Sequence, residues 1–222
     1  MIKEIHYPGT TAKTVIKNEN EHIQKHWLGG CFYEAKGGGL LNYLFKEVAE
    51  GGKWIDIGAS IGNHTIFFSK VMKADEVYSI EPLKPSYDHL VENVKLNKFK
   101  NVKTFNYALG AKDGFCTMEE THPDQIGMTQ VREGNDVKMM RIDDLNFFEG
   151  YDVIKIDVEH YNQQLLTGAK KTFTKGTGLI FIEAESREEM LLVDLIMEGY
   201  GYKRDPLVRL NSTPTYLYKK CV

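Results

Sequence analysis

Short apolar runs alternate with longer amphipathic segments along most of the chain. Trp54–Ile57, Glu76–Glu81, Val102–Tyr107, Tyr151–Val158 and Gly178–Glu183 read as strands buried on both faces. Between them, apolar residues recur at helical spacing. Leu41, Leu44, Phe45 and Val48 mark a helix over Leu40–Val48, and Ile61, Thr65, Phe68 and Met72 mark one over Gly62–Met72. Tyr87, Leu90, Val91 and Val94 mark a third helix, from Pro85 to about Asn97. Leu165, Leu166, Ala169 and Phe173 predict a fourth, and Leu192, Leu195 and Ile196 a fifth, headed by the capping-box pair Ser186 and Glu189. Gly51-Gly52 stops the first helix and Pro82 stops the second strand. Gly201–Lys203 and Thr215–Tyr218 are two closing strands. This alternation predicts a mainly parallel, doubly wound α/β sheet.

Two stretches break the pattern. Residues 1–26 are polar, with His6, His22 and His26 at no metal spacing, and read as an N-terminal arm or a short strand pair. The aromatic segment Trp27–Tyr33 follows, then Gly37–Gly39, so residues 1–35 form an arm for which a lid over a pocket is one role. Residues 36–222 read as a single domain. Within it, residues 111–137 lack a clear period. Phe115–Met118 suggests a short strand and Val137–Ile142 is β-like. Glu119–Asp136, with His122-Pro123-Asp124 and Gly127, reads as a long loop facing substrate.

Composition narrows the class. The 222 residues are 42% hydrophobic and 27% charged, enough for a sizeable core. A net charge of −3 speaks against broad binding to nucleic acid or anionic membrane. Lys95, Lys98, Lys100 and Lys103 nevertheless cluster at the end of the third helix, which reads as a solvated face. No run approaches the ~18 apolar residues of a membrane span and no signal-type segment heads the chain, so a cytoplasmic location is expected. Cys31, Cys116 and Cys221 are odd in number and lack metal-type spacing, which suits a reducing compartment.

The candidate chemistry lies at strand ends, where open α/β sheets bind ligands. Asp56-Ile-Gly58-Ala59-Ser-Ile-Gly62-Asn63 joins the first central strand to its helix. Gly58 and Gly62 leave room beside the backbone, and the helix start offers amides and partial positive charge. A dinucleotide fingerprint requires a middle glycine that this turn lacks. Glu81 ends the next strand 19 residues after Gly62, where a carboxylate can accept both hydroxyls of a ribose. Asn106-Tyr-Ala108 leaves the third strand near the same edge. Asp157-Val-Glu159-His160 ends the fourth, offering two carboxylates and an imidazole to hold or deprotonate an acceptor. Glu183 ends the fifth. No spacing calls for a metal.

Asp56-Ile-Gly-Ala-Ser-Ile-Gly-Asn-His-Thr65, Glu81-Pro82, Asn106-Tyr-Ala-Leu-Gly110, Arg141-Ile-Asp-Asp-Leu145 and Lys155-Ile-Asp-Val-Glu159 resemble, in order, the motifs of FkbM-type methyltransferases. The resemblance covers about residues 30–185. It implies a Rossmann-like class I methyltransferase sheet of seven strands with an antiparallel closing strand and helices on both faces. It also implies transfer of methyl from S-adenosylmethionine (SAM) to a hydroxyl of a sugar, glycan or other natural product, leaving S-adenosylhomocysteine (SAH). Carried over, Asp56, Gly58, Ala59, Gly62 and Asn63 cradle the cofactor, Glu81 and Pro82 hold its ribose, and Asn106 and Ala108 reach its adenine. Asp157, Glu159 and His160 then face the methyl group. The family pattern continues with a glycine and a second glutamate where this chain has His160 and Asn162, which puts the acceptor and the base in question. Two alternatives remain open: an RNA methyltransferase, or a SAM-binding scaffold without catalysis.

Overall fold

The structure, a computed structural model, describes residues 1–120 and 129–221. Strands β1 (Ile2–Tyr7) and β2 (Thr10–Val15) form a hairpin, helices α1 (His22–Leu28) and α2 (Leu40–Glu47) follow, and β3 (Lys53–Ile57) opens the central sheet. The sheet continues through α3 (Asn63–Lys70), β4 (Glu76–Ile80), α4 (Lys84–Leu96) and β5 (Val102–Phe105). An excursion of β6 (Ala108–Leu109), β7 (Gly114–Glu120) and β8 (Thr129–Met140) leads through two 3-10 turns, Ile142–Asp144 and Asn146–Phe148, to β9 (Val153–Ile156). Then come α5 (Asn162–Thr167), α6 (Lys170–Lys175), β10 (Leu179–Glu183), α7 (Arg187–Gly199), β11 (Tyr202–Leu210) and β12 (Thr215–Lys220).

Seven strands lie in the order β11-β12-β10-β9-β3-β4-β5. β10, β9, β3, β4 and β5 run parallel, and β12 inserts antiparallel between β11 and β10. Because side chains alternate across a pleated strand, neighbouring residues feed two cores. Trp54, Val77, Val153 and Phe181 pack with α2, α3 and the N-terminal arm. Ile55, Tyr78, Ile154 and Ile180 pack on the other face with α5, α6 and α7. Burying side chains of this size stabilises by about 1.5–3 kcal/mol each, which is why these strands read as continuous apolar runs. Chain order reverses between β3 and β9, so a crevice opens beyond their carboxyl ends.

The arm belongs to the first of these cores. Ile5, Trp27 and Phe32 are at most 1% exposed and pack with α3. Of the two forms expected for residues 1–26, the strand pair is the one observed.

The structure departs from the sequence expectation in three places. The strands expected at Phe115–Met118 and from Val137 extend into the expected loop at Glu119–Glu120 and Thr129–Asp136: β7 pairs antiparallel with β8 from Gly114↔Met139 to Glu120↔Thr129. Most of β8 before Met139 is exposed, so no buried face imposes an alternation to read. His122-Pro123-Asp124 and Gly127 lie outside the described residues. The helix expected through Phe173 breaks at Gly168, where a β-carbon would sit 2.0 Å from the carbonyl oxygen of Gly110. On α7 the buried face is Val193 and Met197, while Leu195 is 68% exposed. The capping box at the head of α7 forms in a shifted version. Ser186 accepts the Glu189 amide, and the Glu189 carboxylate reaches back to the amide of Glu185 rather than that of Ser186. Among the described residues no helix is long and apolar enough to cross a membrane.

Candidate active site

A cavity of about 350 Å³ lies beyond the carboxyl ends of the parallel strands. Each strand end delivers part of its wall: Gly58, Ala59 and Ser60 after β3, Glu81 and Pro82 after β4, Tyr107 and Ala108 after β5. Asp157 and Glu159 come from the end of β9 and Glu183 from the end of β10. Of the residues singled out from the sequence, Gly58, Ala59, Asn63, Glu81, Pro82, Ala108, Asp157 and Glu159 therefore meet on one surface.

Asp56, Gly62, Asn106 and His160 do not line it. Asp56 is fully buried below the turn, where its Oδ2 accepts the Thr65 hydroxyl at 2.6 Å and locks the end of β3 to α3. A β-carbon on Gly62 would meet the Leu90 side chain at 2.8 Å, so its glycine serves the packing of α3 on α4. Asn106 donates from Nδ2 to the carbonyls of Glu81 and Pro82, both at 2.9 Å, holding the β4 exit loop from behind. The His160 ring is 55% exposed and turns toward Glu185, Nε2 to Oε2 3.1 Å. Glu159, His160 and Glu185 thereby bring one ligand-type atom each within 4.8 Å of one another.

The β3–α3 turn is wired differently from the expected amide cradle. The amides of Gly58 and Ala59 both donate to the Ile80 carbonyl at 3.0 Å, and the Ser60 amide donates to Glu81 Oε2 at 2.8 Å. The Leu83 amide donates to Glu81 Oε1, also at 2.8 Å. Burial raises the Glu81 carboxyl to about 7, against the pull of those two amides. The β3–α3 turn thus fixes the Glu81 side chain at the cavity wall.

Lys155 was not assigned a role from the sequence, although a lysine amid the apolar residues of β9 was the signal. Its ammonium is buried, 3.0 Å from Asp157 Oδ2, 3.7 Å from Asp56 Oδ1 and 3.1 Å from the Gly58 carbonyl. Burial alone would lower its pKa, but the Asp157 and Asp56 carboxylates outweigh it and hold it above the ordinary lysine value. Glu183 and Glu159 are displaced upward, first by burial and then by neighbouring carboxylates, Asp157 among them for each.

The arm supplies a further part of the wall through Glu21, His22, Ile23, Tyr33 and Glu34, from the segment for which a lid was one expected role, although none of the five was singled out. Asn63 attaches it. Its Oδ1 accepts Trp27 Nε1 and the Tyr33 amide, both at 3.1 Å, and its Nδ2 donates to the Tyr33 carbonyl at 3.2 Å. Asn63→Ala strands the buried indole N–H, and unfolding in urea is expected to show a loss of about 2 kcal/mol, with faster amide exchange at Tyr33. His64, in the first turn of α3, is buried against Glu34, Nε2 to Oε2 2.9 Å.

The chain matches the Methyltransferase FkbM domain family over residues 56–204. No curated protein matches it. Among solved structures it is similar to a methyltransferase FkbM from Methylobacillus flagellatus, at 18% identity and TM-score 0.60, covering 78% of this chain and 44% of that one. The chain thus spans less than half the length of that relative. TYW2 of M. jannaschii, solved in complex with AdoMet, aligns with 99% of this chain and 87% of its own at 16% identity and TM-score 0.51. A precorrin-6y C5,15-methyltransferase from Geobacter metallireducens covers 82% of this chain and 84% of its own, also at 16% identity and TM-score 0.51. The shared feature is the fold, a Rossmann-like class I methyltransferase sheet.

Proposed function

The chain belongs to the FkbM methyltransferase family, and from that premise we propose that it methylates a hydroxyl on a sugar, glycan or other small molecule with SAM as donor. The observation that carries the reading is the buried Glu81 carboxylate at the end of β4, presented to the cavity by two backbone amides. A carboxylate so placed accepts the paired hydroxyls of a ribose. The buried Tyr107 hydroxyl, which has no partner among the described residues, is an orphan donor from a residue of the same wall. The Asp157 carboxylate on that wall complements a donor carrying a sulfonium and an ammonium. When bound, that donor supplies an electrophilic methyl carbon.

The chain's own contribution is alignment and proton management. Lys155 holds Asp157 rigidly at the junction of the cofactor turn and the acceptor end. The β7–β8 hairpin contributes Met118 and Val131 to the wall, apolar contacts for an acceptor's carbon skeleton.

Isothermal titration with SAH tests the reading. Binding in the micromolar range is expected, and Glu81→Ala should weaken it by about 1–3 kcal/mol because two hydroxyl donors lose their acceptor. The ionised carboxylate is the better acceptor, so affinity should rise from pH 6 to pH 8 as a group with a pKa of about 7 loses its proton. Glu81→Gln should abolish that rise. A folded protein that ignores SAH at millimolar concentration would end the proposal.

A further inference from the structure

We infer that His64 and Glu34 form the base pair of the site, with His64 Nδ1 taking the acceptor's proton. The inference rests on the methyl-transfer reading above and assigns a residue which that reading leaves open.

Four observations converge. His64 sits in the first turn of α3, directly after the cofactor turn, and both it and Glu34 line the cavity. Their side chains are 7% and 8% exposed, and Glu34 Oε2 lies 2.9 Å from His64 Nε2. A carboxylate at that distance accepts the Nε2 proton, so the ring's lone pair belongs to Nδ1, which has no protein partner among the described residues. Glu34 also holds a left-handed backbone, φ 62°. For a non-glycine residue this is a sparsely populated, strained conformation of the kind that clusters at functional sites.

The other bases within reach are compromised. Asp157 is tied to the Lys155 ammonium at 3.0 Å. His160 is outside the wall and 55% exposed. The Glu159 and Glu183 carboxyls are pushed upward by burial and neighbouring carboxylates, which disfavours the ionised form a base requires. His64 and Glu34 line the same cavity as Asp157 and Glu183.

The chemistry balances without a further reactant. The acceptor O–H bond breaks, its proton forms an N–H bond at Nδ1, and the electron pair stays on oxygen. That oxygen bonds the methyl carbon as the carbon–sulfur pair withdraws onto sulfur. The imidazolium keeps its Nε2–H on the Glu34 carboxylate and later returns the Nδ1 proton to water. This is the nucleophile–base–orienter arrangement in which a carboxylate fixes the tautomer.

The test uses ¹⁵N-histidine-labelled full chain at pH 7.5, saturated with SAH or with sinefungin, whose amine stands where the methyl group would be. In the SAH complex the His64 ring should show a protonated Nε2 and a bare Nδ1. Sinefungin should shift the Nδ1 resonance, because its ammonium donates there. Glu34→Gln should redistribute the tautomers of the His64 ring in the SAH complex. A proton on Nδ1 in the SAH complex, or an Nδ1 signal indifferent to sinefungin, would overturn the assignment with the cofactor reading intact. Failure of both ligands to bind would remove both. The wild-type spectra decide the question even if the Glu34 variant does not fold.

Discussion

Replacing Gly58 with alanine should cost the fold about 3 kcal/mol or more, a drop of roughly 10 °C in Tm for a chain of this size. The turn after β3 passes so close to the end of β9 that a β-carbon on Gly58 would lie 1.8 Å from the Asp157 carbonyl oxygen. The backbone there is also left-handed, φ 74°, which disfavours any side chain. The colliding atom is main chain, so no side-chain rotation relieves it. The two strand ends that meet at the switch point must separate, and with them Asp157 and the turn that carries Glu81. Thermal unfolding and SAH titration of the same sample should therefore fail together. An alanine variant with wild-type Tm and wild-type SAH affinity would show that the two backbones do not touch.

Lys155→Met should be comparably damaging, by about 3–5 kcal/mol, because it removes the cation and leaves its partners behind. Asp56 is fully buried and Asp157 half-buried, and the lysine ammonium is what compensates both. The penalty has a pH signature. In the variant, protonating the stranded carboxylates relieves them, so its deficit should shrink as pH falls toward their ordinary range. In the wild type the raised Lys155 pKa stabilises the fold below the unfolded lysine value and that contribution is lost only as pH rises through the higher folded value. Urea unfolding of both proteins from pH 5 to 9 should show the gap widening with pH. A constant gap would mean the lysine acts through packing alone.

Burial along a single element was legible in the residues because it is a local property. The five apolar runs became the five parallel strands, and Glu81, Asp157 and Glu183 were expected at strand ends where the structure has them. Of the β7–β8 ribbon only the ends were legible, as the strand at Phe115–Met118 and the β-like stretch from Val137, since most of β8 faces water and a solvated ribbon needs no alternation. The need for glycine where the helix after β9 breaks was equally hidden: a β-carbon at position 168 would meet the carbonyl of Gly110, 58 positions earlier.

What the sequence determined by itself is the doubly wound sheet and which strand ends carry acids, because each depends on the periodicity of one short segment. What only the tertiary structure decided is which of those groups face the cavity and what they touch. Glycine at 58 was read as room for a ligand, and the fold gives the reason as the Asp157 backbone. Nothing local in the sequence marks His64 as buried, and the packing of the arm over α3 sets it against Glu34, 30 residues away. Lys155 is one charged residue in an apolar strand until the β3–β9 pairing brings Asp56 alongside it. Such partners meet only when chain closure brings distant segments together, and no local pattern of polar and apolar positions records that distance.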